Sequence, residues 1–185
     1  MFGHSFGGLV VLETAARTGL PAPLAVYEPG MSLDGSLPVS WLPGYRERLA
    51  RGDTRGAFAH FVRGSGHAPA VVTRMPGWYL RAVLRVVVRG HRWRTLEPLL
   101  GTNLREHEAL LQAADGLSRY AAIAAPVLLL GGADSPRFST DPLRALHGVL
   151  RASTVDLLPG LDHNAPDEKA PVPVAERVLR FLDGR

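Results

Sequence analysis

At the very start of the 185-residue sequence, residues 3–7 read Gly3-His4-Ser5-Phe6-Gly7, a complete G-x-S-x-G pattern. A serine in this setting is expected on a sharp turn from a strand into a helix. Its dihedrals are strained there, and glycines are needed because side chains at Gly3 and Gly7 would collide across the turn. The turn lifts the serine hydroxyl above the sheet. The apolar residues that follow, 8–16, suit a helix packed on that sheet, with its N-terminus near the serine, where free N–H groups favour developing negative charge.

Two downstream segments supply the context that a short pattern needs. Residues 125–134 form an apolar run, Ala-Pro-Val-Leu-Leu-Leu-Gly-Gly-Ala-Asp, which predicts a buried parallel strand with Asp134 at its C-terminal end. Residues 153–160 predict another strand, and His163 lies in the turn-rich loop just after it, between Gly160 and Pro166. The stretch between Asp134 and His163 is long enough for one helix and one strand. Ser5, Asp134 and His163 thus fall in the order nucleophile, acid, base.

That order, with each member at or just past a strand end, resembles the α/β-hydrolase superfamily of serine esterases and lipases. The resemblance covers essentially the whole chain, including a strand at Leu24-Ala25-Val26-Tyr27-Glu28-Pro29 and a closing helix at 172–182. It implies an α/β core at 1–30 and 123–185, a partial parallel sheet flanked by helices, with a helical lid inserted at 31–122. It also departs from the family in one respect. Members carry several strands before the elbow, one of which provides half of the oxyanion hole, whereas here only Met1 and Phe2 precede the pattern. The expectation is a hydrolase truncated at its N-terminus, with about three full strands and an unpaired edge beside the nucleophile.

Within the resemblance, Ser5 is the nucleophile, His163 the base and Asp134 the acid, and the Phe6 N–H is one oxyanion donor. Glu28 is a substitute for Asp134, since some members place the acid one strand earlier; Asp141, Asp156, Asp162 and Asp167 fit less well. His4 is read as packing beside the nucleophile. The implied chemistry is cleavage of an ester or related acyl bond through an acyl-enzyme, with no cofactor and no metal. Loss of one oxyanion donor costs roughly 10²–10³ in rate, so the alternative is a non-catalytic or partner-dependent remnant.

The inserted region changes character. Residues 45–50, 54–62, 78–89 and 104–111 have helical spacing, and Arg81, Arg85 and Arg89 recur at four-residue intervals opposite valines and leucines. This is a solvated basic face in the first instance, and a membrane-binding face, with Trp78, Tyr79 and Trp93 as anchors, in the second. His107 lies between Glu106 and Glu108, but neighbours in sequence do not share a helix face, which argues against a metal site.

Composition narrows the function classes. Hydrophobic residues make up 46% and charged residues 21%, enough apolar material for one globular core. The net charge is +4, and of 21 lysines and arginines only Lys169 is a lysine. The arginines are dispersed and aromatics are only 7%, a poor fit to nucleic-acid binding. Absence of cysteine excludes disulfides and thiol chemistry. No leader pattern or apolar run of the ~20 residues that span a bilayer is visible, so a cytoplasmic setting is expected, while the resemblance implies a small-molecule acyl substrate.

Overall fold

The computed structural model describes residues 1–113 and 116–184. The chain begins with strand β1 (Phe2–His4), helix α1 (Phe6–Thr18) and strand β2 (Leu24–Tyr27). Six helices follow: α2 (Leu42–Ala50), α3 (Thr54–Gly64), α4 (Ala70–Thr73), α5 (Gly77–Val87), α6 (His91–Leu96) and α7 (Leu100–Gln112). The chain ends with β3 (Val127–Gly132), α8 (Arg137–Val149), β4 (Ser153–Leu158) and α9 (Pro171–Leu182).

These elements form two compact units, residues 1–37 with 113–185 and residues 38–112. The first is an α/β unit built on a parallel sheet in the order β1-β2-β3-β4. Its two central strands are buried throughout, which is why β2 and β3 read as unbroken apolar runs: a parallel strand covered on both faces has no polar side to show. Alternate residues then sort to the two faces. Ala25, Tyr27, Leu128 and Leu130 pack under Val174 and Val178 of α9. On the opposite face Leu143 of α8 lies against Gly131. Beside the three full strands stands the short β1, whose outer edge has no strand against it among the described residues.

Helix α1 stops at Gly19, whose φ of 64° is left-handed and whose N–H caps the carbonyl of Ala15. The 3-10 helix Leu117–Ala122 packs against α1 and α8 and so lies with the sheet unit. The cause is a polar junction: Glu13 Oε1 accepts from the Tyr120 hydroxyl at 2.7 Å and from Arg119 Nε at 2.7 Å, while the Tyr120 ring is fully buried.

The second unit has its own apolar centre, Trp41, Leu42, Tyr45, Ala57, Trp93 and Leu100. Two of the ring side chains there have matched polar groups: Tyr45 donates its hydroxyl hydrogen to the Leu100 carbonyl at 2.9 Å, and Trp41 Nε1 donates to the Pro38 carbonyl at 2.7 Å. Arg55 lies 3.5 Å above the Trp93 ring centre and donates to the Val88 carbonyl at 2.6 Å. His107, between Trp41 and Phe61, pairs Nδ1 with the Asn103 carbonyl and is a packing residue. No helix among the described residues is long and apolar enough to cross a membrane.

The Glu13 junction is directly testable. Glu13→Ala leaves the buried Tyr120 hydroxyl without its acceptor and is expected to cost about 1–3 kcal/mol in urea unfolding, whereas Glu176→Ala on the exposed side of α9 should stay within about 0.5 kcal/mol.

Candidate active site

Ser5 stands between β1 and α1 with φ 52° and ψ −121°, a backbone region that side chains other than glycine rarely occupy. Such a conformation costs about 1–3 kcal/mol and persists only where its surroundings hold it. Here they do. The Ser5 N–H donates to the Tyr27 carbonyl at 3.0 Å, and the Ser5 carbonyl accepts from the N–H groups of Gly8, Leu9 and Gly30. Helix α1 starts at Phe6, so its first N–H groups have no acceptor one turn earlier in the helix.

The steric demand falls on Gly3 and Gly8, not on Gly3 and Gly7. A Cβ on Gly3 would lie 2.4 Å from the Gly7 carbonyl oxygen, and one on Gly8 would lie 3.0 Å from Pro29. A Cβ on Gly7 meets nothing within 4 Å, which corrects the expectation of a collision there. Gly7 is exposed on the outer side of the helix start, whereas Gly3 and Gly8 are buried where β1, α1 and Pro29 meet.

His163 reaches the elbow from the far end of the sheet. Its ring lies 4.8 Å, centre to centre, from that of His4, the residue before Ser5, and its Nδ1 is 2.8 Å from Glu28 Oε2. Glu28 follows β2 with φ 41°, and its carboxylate is fully buried. The other oxygen, Oε1, accepts from the Gly132 N–H at 2.7 Å and from the Ser135 hydroxyl at 2.5 Å. Burial pushes the Glu28 carboxyl up, but the bonds from His163, Ser135 and Gly132 outweigh it and hold the group below the usual carboxylate range.

Asp134 is not at this junction. Its side chain is exposed, and the residue contributes its backbone instead, the N–H donating to the Leu161 carbonyl at 2.9 Å. Strand β3 ends at Gly132, so the chain has already turned outward where Asp134 stands. The acid that the structure brings to His163 is the one a strand earlier. Gly132 makes the close approach possible: a Cβ there would lie 2.2 Å from the Leu161 carbonyl oxygen. The Gly131-Gly132 doublet was the sequence signal for this approach, and the hydroxyl of Ser135 had none.

Side chains around the histidine loop fix it further. The Tyr27 hydroxyl donates to the Asp162 carbonyl at 2.9 Å, and burial pushes its pKa well up, so it remains a donor. Asp162 accepts from the Asn164 N–H at 3.0 Å and pairs with Lys169. His4 packs edge-on against Tyr27, and its Nδ1 lies 3.0 Å from Asp167 Oδ2. Burial, and then the neighbouring His163, hold His4 below the ordinary imidazole value against the pull of Asp167. Asp156 pairs with Arg177 at 2.5 Å and Asp141 with Arg137 and Arg144, which occupies both acids on the surface.

Two outcomes follow. Gly3→Ala should destabilise by at least about 2 kcal/mol and Gly7→Ala by less than about 1 kcal/mol in either direction, read by chemical denaturation. Glu28, with its folded pKa below the unfolded 4.5, contributes stability that is full above that value and lost as pH falls through the folded pKa. Glu28→Gln should therefore flatten the acid side of the stability profile.

Comparison with known proteins bears on the family and the fold. A sequence model of the alpha/beta hydrolase family matches residues 1–177. An alpha/beta hydrolase from Sphaerobacter thermophilus DSM 20745 superposes with a TM-score of 0.67 at 25% identity, over 94% of this chain and 65% of that one. An esterase from Rhodococcus sp. ECU1013 superposes with a TM-score of 0.61 at 20% identity, over 98% of this chain and 64% of the esterase. A serine hydrolase from the polyaromatic-hydrocarbon degrader Cycloclasticus zankles gives 0.59 at 13% identity, over 99% and 63%. The last two share the fold. In each case this chain spans less than two thirds of the solved protein's length. No curated protein matches the sequence.

Proposed function

Since the chain belongs to the alpha/beta hydrolase family, we propose that it is a serine hydrolase of esters or related acyl bonds, with Ser5 as nucleophile, His163 as base and Glu28 as acid. The observation that carries this is the 2.8 Å pairing of His163 Nδ1 with a buried, charged Glu28 beside a strained serine turn.

With Nδ1–H directed to Glu28, the neutral imidazole offers Nε2 as the basic nitrogen. Nε2 takes the Ser5 proton as Oγ attacks the acyl carbon, and the carbonyl electron pair moves onto oxygen. The Phe6 N–H stabilises that oxyanion. When the tetrahedral adduct collapses, the imidazolium returns the proton to the departing alkoxide, leaving the acyl group on Ser5. Water then repeats the sequence, giving its proton to Nε2 and releasing the acid. Glu28 holds the ring orientation and stabilises the imidazolium throughout, and its depressed pKa keeps it charged at neutral pH.

The open outer edge of β1 favours a second reading, in which a further strand pairs there and a loop from it supplies another oxyanion donor. The substrate in this reading is a small acyl compound.

The test joins labelling and turnover. A fluorophosphonate probe should label Ser5, and Ser5→Ala should abolish both labelling and hydrolysis of p-nitrophenyl acetate. Glu28→Gln should lower kcat by about 10²–10⁴, while Asp134→Asn leaves it nearly unchanged. A folded chain that neither labels nor turns over sinks the hydrolase reading; the reverse result for Glu28 and Asp134 returns the acid role to Asp134.

A further inference from the structure

Within the helical unit, α2, α3 and α5 enclose an open cavity of about 330 Å³ whose wall is markedly cationic. Arg48 comes from α2, Arg63 and His60 from α3, and Arg81 from α5. The one carboxylate in the wall, Asp53, is already engaged. It accepts from the Gly56 N–H at 3.0 Å to cap α3, and Arg81 grips both its oxygens, Nη2 to Oδ1 at 2.9 Å and Nη1 to Oδ2 at 3.0 Å. That pair cancels its own charge and ties α3 to α5. Arg48 donates Nη1 to the Gly44 carbonyl of its own helix at 3.0 Å, and among the described residues neither Arg48 nor Arg63 has a carboxylate partner. Two guanidinium charges therefore face one concavity without compensation.

Like charges gathered around a concave wall repel one another and focus positive potential into the space between them. His60 registers this potential: burial first, then Arg48 and Arg63, keep its ring below the ordinary imidazole value. Gly44 keeps room for that ring, since a Cβ there would lie 2.7 Å from His60 Nε2. Trp78 stands 75% exposed on the same wall, offering an aromatic face to whatever the cations hold. Guanidinium forks match the paired oxygens of phosphates and carboxylates, and two uncompensated forks fit a dianion better than a monoanion.

We propose that this cavity is a binding site for a phosphate group, held by Arg48 and Arg63 with its organic substituent against Trp78. The site lies wholly within residues 38–112 and does not depend on the hydrolase reading. Its phosphate can belong to a soluble phosphate monoester or to the headgroup of an anionic phospholipid.

The experiment titrates the full chain at low ionic strength with inorganic phosphate and with phenyl phosphate, reading tryptophan fluorescence and the ring-proton resonances of His60. Saturable binding is expected, with the His60 titration moved to higher pH because a bound anion favours the imidazolium. The substituent should make phenyl phosphate the tighter ligand and the stronger perturbant of Trp78. Arg48→Met with Arg63→Met should weaken binding by at least about tenfold, and Arg63→Met alone serves if the double variant does not fold. Arg85→Met, on α5 but outside the cavity wall, and Ser5→Ala should bind as the unaltered chain does. No saturable response to either phosphate, or full binding by the folded arginine variants, overturns the proposal. Vesicles of phosphatidic acid separate the sources: retention that the arginine variants lose assigns the phosphate to a lipid, and phosphate binding without retention assigns it to a soluble ligand.

Discussion

The carboxylate of Glu28 is the point at which the α/β unit closes on itself. It stands at the end of β2, takes a backbone N–H from the end of β3 through Gly132, takes a hydroxyl from Ser135 at the approach to α8, and meets the ring of His163 beyond β4. A buried charge without partners is strongly unfavourable. Each of these segments must therefore arrive in register, and the charge that would be a liability in an incomplete fold becomes the feature that specifies the complete one. Gly131 and Gly132 follow from the same requirement, since the carboxylate and the histidine loop both approach the backbone where side chains would stand.

Strain is concentrated at the ends of neighbouring strands. Ser5 and Glu28 both have positive φ, and each directly follows a strand of the sheet. Two parallel ladders each extend one step past their strands: the β1–β2 ladder through the Ser5 N–H on the Tyr27 carbonyl, and the β2–β3 ladder through the Glu28 N–H on the Leu130 carbonyl. The regular part of the sheet thus anchors the two departures from regularity. Both side chains are turned by backbone conformation and not by rotamer choice alone, which fixes their direction more firmly than packing around a flexible side chain would.

Much of this was legible in the sequence because it rests on patterns that a chain displays locally. The apolar runs of β2 and β3 stand out in the sequence by themselves, and the elbow is a contiguous motif. The choice between Glu28 and Asp134 was not legible in the same way. Both are acids near strand ends, and what separates them is a single positive φ that turns one inward and a strand that ends early enough to turn the other out. Gly7 belongs to the motif yet meets nothing, whereas Gly8 beside it contacts Pro29, a contact made only when the loop after β2 folds over the elbow. The 3-10 helix at 117–122 has no strong period; its place is decided by Glu13, more than a hundred residues away.

The pairing of Glu28 with His163 spans 135 residues, while Ser5 and Glu28 share one β-α-β crossover at the start of the chain. Local contacts of that kind form early in folding, and contacts of such long range form late because their loop-closure entropy must be met first. The serine turn and the strand that leads to Glu28 can thus form as one local unit, and the histidine loop joins them only when the far end of the sheet is in place.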